Sequence, residues 1–462
     1  MRLKYYIQKN FEGDGGIKQL WAIAYPMILS SGFETFVMFL NRLMLSKVSP
    51  IQMAAMLNAG LTCFTMMTFF LGLIGYSSAI TAHLYGAGRK NDCAKMTFQS
   101  LLLSMLSYPI IIALIPLGYM SFKIANHSPV QLDIEKEYFF ISMIVISFFT
   151  LLKTPFASFF SGIGRTNKIM TANFVGLAIN LIFAYLLIFG KFGLPRLEIR
   201  GAAIAIALST FANFATLLFF YLREENVLEF NIRESFKFDS NLMKKLIRFG
   251  FPSGLEFLIN MSAFTSMVSM FHGYGEIVAS AVTIAFSWDM VSFVPMVGLQ
   301  VAVMTLVGQN IGRKNLAAAI RSAYSGMKIV IFYSGTMLLL FLFIPSLLAE
   351  IFRPERCEYW EEIRNYAIPM VMMMSVYPIS DGFLIVFSGA IRGAGDTSWA
   401  MFASAILHWS AALITWIVVK ELALQPLFSW GIFVLCFPFF GLTFFLRFLS
   451  GKWKDKKVLA NE

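Results

Sequence analysis

The sequence predicts an all-α membrane protein with twelve transmembrane helices in two pseudo-symmetric six-helix lobes around a central cleft. Three observations carry this expectation. The chain has 462 residues, 58% hydrophobic and only 14% charged, where a soluble chain carries about 25% charged residues. The apolar excess comes in runs of about 20 residues or more, the length that crosses a bilayer as a helix. The second half of the chain also repeats landmarks of the first.

The runs of the first half cover about 17–46, 52–82, 95–122, 137–160, 169–190 and 201–222. Those of the second half cover about 244–271, 277–308, 317–350, 364–388, 398–419 and 427–449. The most polar interior stretch lies between the halves. The expected domains are an N-terminal lobe (1–222), a cytoplasmic linker (223–242), a C-terminal lobe (243–450) and a basic cytoplasmic tail (451–462). The repeat shows at three places in order. Pro26 matches Pro252, Gly-Ala-Gly-Arg-Lys-Asn at 86–91 matches Asn-Ile-Gly-Arg-Lys-Asn at 310–315, and Phe-Ser-Gly at 160–162 matches Phe-Ser-Gly at 387–389. Six spans per half is an even number, so both halves share one orientation. Parallel repeats about an axis along the membrane normal, with a central cavity, are a transporter architecture.

The net charge of +11 would suit nucleic acid, but its placement does not. With both termini on one side, that side holds 24 Lys and Arg and the other holds ten, while Arg42, Lys153 and Lys328 fall within runs. The basic excess therefore marks the cytoplasmic side and the lipid headgroups, and both termini are expected there. The expected partners are the lipid bilayer and small amphipathic substrates, with no nucleic acid, and a monomer is the expected assembly. Cys63, Cys93, Cys357 and Cys436 are scattered, and only Cys357 falls in an expected outer loop, so no disulfide framework is implied. The N-terminus is charged and runs into a span too long for a signal peptide.

Acids inside apolar runs carry the chemistry. A carboxylate at mid-membrane costs about 2.5–3.5 kcal/mol on insertion scales, so it needs a partner, water or a proton. Asp381 lies roughly 17 Å above the glycine-rich turn at 392–397 by helical rise. Glu256 lies at a similar depth above Lys245, and Asn260 shares its helix face one turn on. Asp381 and Glu256 could share one proton or jointly hold a cation, Na⁺ included. Asp289, about twenty residues above its cytoplasmic end, falls toward the outer side, where it extends an ion path or reaches water. Glu34 and Asn41 are seven residues apart on one face of the first span. The glycine-rich loops lack the flanking strand and Gly-Lys-Ser/Thr ending of a phosphate cradle.

At its landmarks the chain resembles the MATE (multidrug and toxic compound extrusion) family of the MOP flippase superfamily, in its bacterial form. Val-Gly-Gln-Asn-Ile-Gly-Arg-Lys-Asn (307–315) looks like that family's loop after span 8, and Gly-Ala-Ile-Arg-Gly-Ala-Gly-Asp-Thr (389–397) like its loop after span 10. The segment from Ala172-Asn173 through Asn180, with Gly190, Pro195 and Gly201-Ala202-Ala203, looks like its spans 5 and 6. The resemblance implies two six-helix lobes in the plasma membrane. It implies export of amphipathic, often cationic compounds against inflow of H⁺ or Na⁺, with no cofactor. Asp381 matches the acid that the family places in span 10. Where many members have an acid eight residues after the span-7 proline, this chain has Asn260, with Glu256 one turn earlier. The family's frequent acid near the outer end of span 1 appears here as Asn41, followed by Arg42.

Two other readings compete. A membrane enzyme would need convergent catalytic groups, but the four histidines (His83, His127, His272, His408) are dispersed and there is no Asp-rich metal motif. A flippase for lipids or lipid-linked oligosaccharides would need several basic groups to hold anionic headgroups. Only Arg42, Lys153 and Lys328 are available against four intramembrane acids, which favours cationic or neutral cargo. Lys153 stands roughly 16 Å above Gly164, near the repeat equivalent of Asp381. The nearest acid by depth is Glu34, so the sequence predicts a Glu34–Lys153 ion pair tying spans 1 and 4.

Overall fold

The structure is a computed structural model that describes residues 11–124, 129–353, 359–456 and 458. Cys357 and His127, named above, lie outside the described residues. Among the described residues, twelve helices are long and apolar enough to cross a membrane. They are α1 Ile17–Ser46, α2 Ile51–Gly86, α3 Lys90–Lys123, α4 Pro129–Gly162, α5 Asn167–Phe189 and α6 Glu198–Tyr221. The series continues with α7 Ser240–His272, α8 Glu276–Gly312, α9 Leu316–Phe343, α10 Trp360–Gly393, α11 Thr397–Glu421 and α12 Pro426–Leu449.

Two compact units form. The first gathers Met1–Ala24, Ile259–Asn310 and Asn315–Lys457; the second gathers Tyr25–Leu258, Ile311–Lys314 and Val458–Glu462. The boundaries fall inside α1 and α7, next to Pro26 and a few residues beyond Pro252. In the first unit the core is aromatic. Trp430, Phe433 and Phe271 are fully buried, and the Phe271 and Trp430 rings meet edge-on with centroids 5.1 Å apart. The buried Trp430 indole donates to the Met370 carbonyl at 3.1 Å, which satisfies the ring's polar handle where no water is at hand. In the second unit the core forms around Phe139, with Phe122 edge-on to it at 5.3 Å.

Small residues set a close helix crossing in the second unit. Gly250 and Gly254 lie one turn apart on α7, and both face α2. A Cβ on Gly254 would stand 2.3 Å from the Phe69 carbonyl oxygen, and one on Gly250 would stand 2.4 Å from that of Leu73. Without side chains the two backbones approach closely, the main source of helix association in lipid. Gly254→Leu is therefore expected to destroy most of the folded yield, read as the monodisperse fraction after detergent extraction. Gly335→Ala is the control, because nothing lies within 4 Å of its Cβ position. It should leave the yield equal or slightly higher, since Ala is the better helix former.

The turns after α4 and α10 are built alike, and each is gripped from the end of the second helix after it, α6 or α12, and the segment that follows. Gly164 and Gly395 take left-handed backbone there, with φ of +79° and +93°. In the second unit Arg165 donates to Asn226 at 2.7 Å and pairs with Glu229, both on the short linker helix Glu224–Phe230. Lys90 reaches the other Glu229 oxygen at 3.0 Å, and Phe230 beneath is fully buried. Burial opposes ionisation of Glu229, but its hydrogen bonds from Lys90 and Arg165 outweigh that and hold the carboxyl below its usual range. In the first unit the charges are inverted. Asp396, 1% exposed, takes Arg447 at 2.6 Å and Lys456 at 3.2 Å. Beside them Trp453 stacks on Phe448 with centroids 5.1 Å apart and is fully buried.

Candidate functional site

Two buried polar clusters sit on these helices, one in each unit. In the first unit, Asp381 on α10 is 4% exposed and Asp289 on α8 is 4% exposed. The two carboxyls are electrostatic neighbours, and Tyr377 lies within the field of both. Asp289 is thus enclosed by the protein, within electrostatic reach of Asp381. The walls are apolar or satisfied. Gly382, next to Asp381, admits α9 so closely that a Cβ there would meet Val330 at 2.1 Å. Ser334 donates to the Pro378 carbonyl at 2.7 Å. Two carboxylates buried side by side need positive charge between them, because burial of unpaired charge is costly. Such a pair can hold one proton or one small cation. Tyr377 was not singled out from the sequence, although it precedes Asp381 by four residues and so shares its helix face. Among the described residues no group of three or more His, Cys, Asp or Glu side chains could hold a metal ion.

Glu256, in the middle of α7, is 1% exposed and belongs to the second unit, whereas Asp381 belongs to the first. Asn260 follows on the same helix and is half-buried.

The second unit carries a polar ladder along one face of α1. Its rungs are Ser30, Glu34 and Asn41, spaced so that all face one way. Asn173 on α5 donates to the Ser30 carbonyl at 3.5 Å and accepts from Asn213 on α6. Asn41, fully buried, donates to Asn180 on α5 at 2.7 Å and to the Val37 carbonyl at 2.8 Å. Asn173 and Asn180 are seven residues apart, so the same periodicity on α5 meets the one on α1. Asn173 and Asn213 were not among the site residues expected from the sequence; their spacing to Asn180 was the available signal. Between the rungs, Lys153 Nζ on α4 lies 2.8 Å from Glu34 Oε1, so the expected ion pair is formed. Arg42 is half-buried, with Tyr138 as its electrostatic neighbour.

A family model described as MatE matches residues 26–186 and 252–417 of the chain, more than half its length and both halves of the repeat. The probable multidrug resistance protein NorM of Thermotoga maritima is 26% identical over 416 residues, which is 88% of this chain and 87% of that protein. The multidrug resistance protein NorM of Aliivibrio fischeri is 23% identical over 399 residues, covering 86% and 85%. Among solved structures, a MOP superfamily transporter from Pyrococcus furiosus superposes with a TM-score of 0.87 at 20% identity, over 97% of this chain and 99% of the other. An outward-facing multidrug resistance MATE family transporter superposes with a TM-score of 0.86 at 19% identity, over the same shares. At these identities the structural likeness shows the fold.

Proposed function

Since this chain belongs to the MatE family, we propose that it exports small amphipathic, mostly cationic compounds in exchange for inflowing H⁺ or Na⁺, by alternating access. The observation that carries this reading is the buried Asp289–Asp381 pair on α8 and α10, held among apolar side chains at a depth a coupling ion must cross. An acid pair that is empty needs a cation; once it holds one, its need for a cationic cargo falls. That exchange is what antiport requires. Glu256 is a further buried acid that would serve a coupling ion in the second unit, with Asn260 one turn on as a neutral ligand. The coupled ion is cargo, and the reading needs no cofactor. The basic excess on one side of the membrane supports a multi-pass protein of the plasma membrane with both termini cytoplasmic. The excess of intramembrane acids over bases supports this reading against a flippase of anionic lipids.

The test uses inverted vesicles from a host stripped of its own exporters. Uptake of a cationic dye should rise over empty vesicles when either a pH gradient or a Na⁺ gradient is imposed, and only one gradient should suffice. A flat response to both gradients across a broad panel of dyes, with the protein present in the membrane, refutes the antiport reading.

A further inference from the structure

The Glu34–Lys153 pair differs from the acid pair in being reachable. Glu34 keeps 57% of its side chain exposed and Lys153 keeps 20%. Both stand near mid-membrane. Glu34 is roughly 18 Å from the outer end of α1, and Lys153 roughly 14 Å above the cytoplasmic end of α4, by helical rise. Charge that faces acyl chains at this depth is costly, so the exposed flank of the pair calls for a polar neighbour, which a bound cargo supplies. The ladder rungs fix the backbones on either side: Ser30 holds Asn173 one turn below, and Asn41 holds Asn180 two turns above. An apolar contact lies at the same level, where Phe33 and Phe174 meet with ring centroids 5.8 Å apart. Phe174 is 57% exposed. The same stretch of the second unit therefore presents a carboxylate, an ammonium and an open aromatic face.

Four kinds of cargo meet this arrangement differently. A neutral compound gains nothing from either charge. A monocation takes Glu34 and strands Lys153. A monoanion takes Lys153 and strands Glu34. In each of these two cases the stranded partner is left unpaired in low dielectric, which works against the binder. A zwitterion with separated ammonium and carboxylate replaces the pair and leaves every charge paired. We propose that Glu34 and Lys153 form a selectivity pair for amphiphilic zwitterions, in which an aromatic body carries both an ammonium and a carboxylate. The inference rests on the reading of the chain as an exporter and narrows its cargo from cationic amphiphiles to those that also bear an acid.

The test is binding to the purified full chain in nanodiscs. A matched trio of fluorescent aromatic compounds is compared: the amino acid-type zwitterion, its methyl ester (a cation) and its N-acetyl derivative (an anion). The zwitterion should bind at least tenfold more tightly than either derivative. Glu34→Gln should move the preference to the N-acetyl anion, and Lys153→Met to the ester. The double exchange Glu34→Lys with Lys153→Glu keeps a pair in place and should restore preference for the zwitterion. Equal affinity of zwitterion and ester for the unaltered chain overturns the proposal, and so does an unchanged order in Glu34→Gln. Transport of the same trio into inverted vesicles separates the two ideas. Preferential binding of a zwitterion that is never transported removes the exporter reading and leaves the pair. Transport of an ester that binds as tightly as the zwitterion removes the pair and leaves the exporter.

Discussion

Asp381→Asn should reduce ion-driven export by about a hundredfold, the equivalent of ~2.8 kcal/mol, while the protein still folds and inserts. Asn fills the same volume, so no cavity opens. It cannot take a proton, and it leaves Asp289 as a lone acid where there had been two neighbours. A lone buried carboxylate keeps its proton or finds another partner, and the site loses its reason to exchange one cation for another. Asp289→Asn should show the same loss. The double substitution should be no worse than either single one, because the two carboxyls act as one site and their effects cannot add. Measured in inverted vesicles with the driving gradient imposed, normal uptake by Asp381→Asn ends the coupling assignment. Normal uptake by Asp289→Asn, with Asp381→Asn inactive, leaves Asp381 to act without its neighbour.

Asp396→Ala should cost stability, not coupling. Asp396 is 1% exposed and is the shared partner of Arg447 and Lys456. Removing it leaves Arg447 largely buried without its carboxylate, and breaking such a pair costs on the order of 3 kcal/mol. Arg447 also lies 4.9 Å from the Trp399 ring centroid, a contact that would remain and recover part of the loss. The expected reading is a melting transition lowered by several degrees in detergent, with α12 and the segment Lys452–Asp455 the first to exchange amide protons. Charge inversion is the sharper control. Asp396→Arg combined with Arg447→Asp copies the polarity of the Arg165–Glu229 grip in the second unit and should recover much of the stability. A melting point unchanged by Asp396→Ala would mean that the pair contributes nothing to the packing of this end.

Much of this protein is legible in its sequence because a bilayer makes local composition decisive. The expected runs fall within the observed helices, except that the fifth and sixth overrun theirs by one residue, at Gly190 and Leu222, and the final stretch of the ninth forms the separate short helix Pro345–Glu350. Their ends are where the reading falls short. The run expected at 137–160 is the helix Pro129–Gly162, whose first two turns carry Gln131, Asp133, Glu135 and Lys136. Hydropathy stops at the first polar turn, while backbone hydrogen bonding continues. The Glu34–Lys153 pair was also readable, because each residue's depth follows from its distance to a helix end and the repeat supplies the register. Asp381 was readable as an acid in an apolar run.

Its neighbour was not. Asp289 and Asp381 are on helices far apart in the chain, and a depth counted along α8 put Asp289 toward the outer side. A depth counted along one helix does not say which neighbouring helix the side chain meets. The grip on Asp396 escaped for a related reason. Arg447, Lys456 and Asp396 each made sense alone, as topology signals and a turn residue, and nothing local couples them. The sequence by itself determined how many helices cross, which charges lie deep and which side is basic, because each of these is a sum over neighbouring residues in a medium that penalises polarity. Only the tertiary structure decided which acid faces which, and that the units divide inside α1 and α7. Those outcomes depend on the rotation, tilt and closest approach of separate helices, which the glycines at 250, 254 and 382 permit but do not encode.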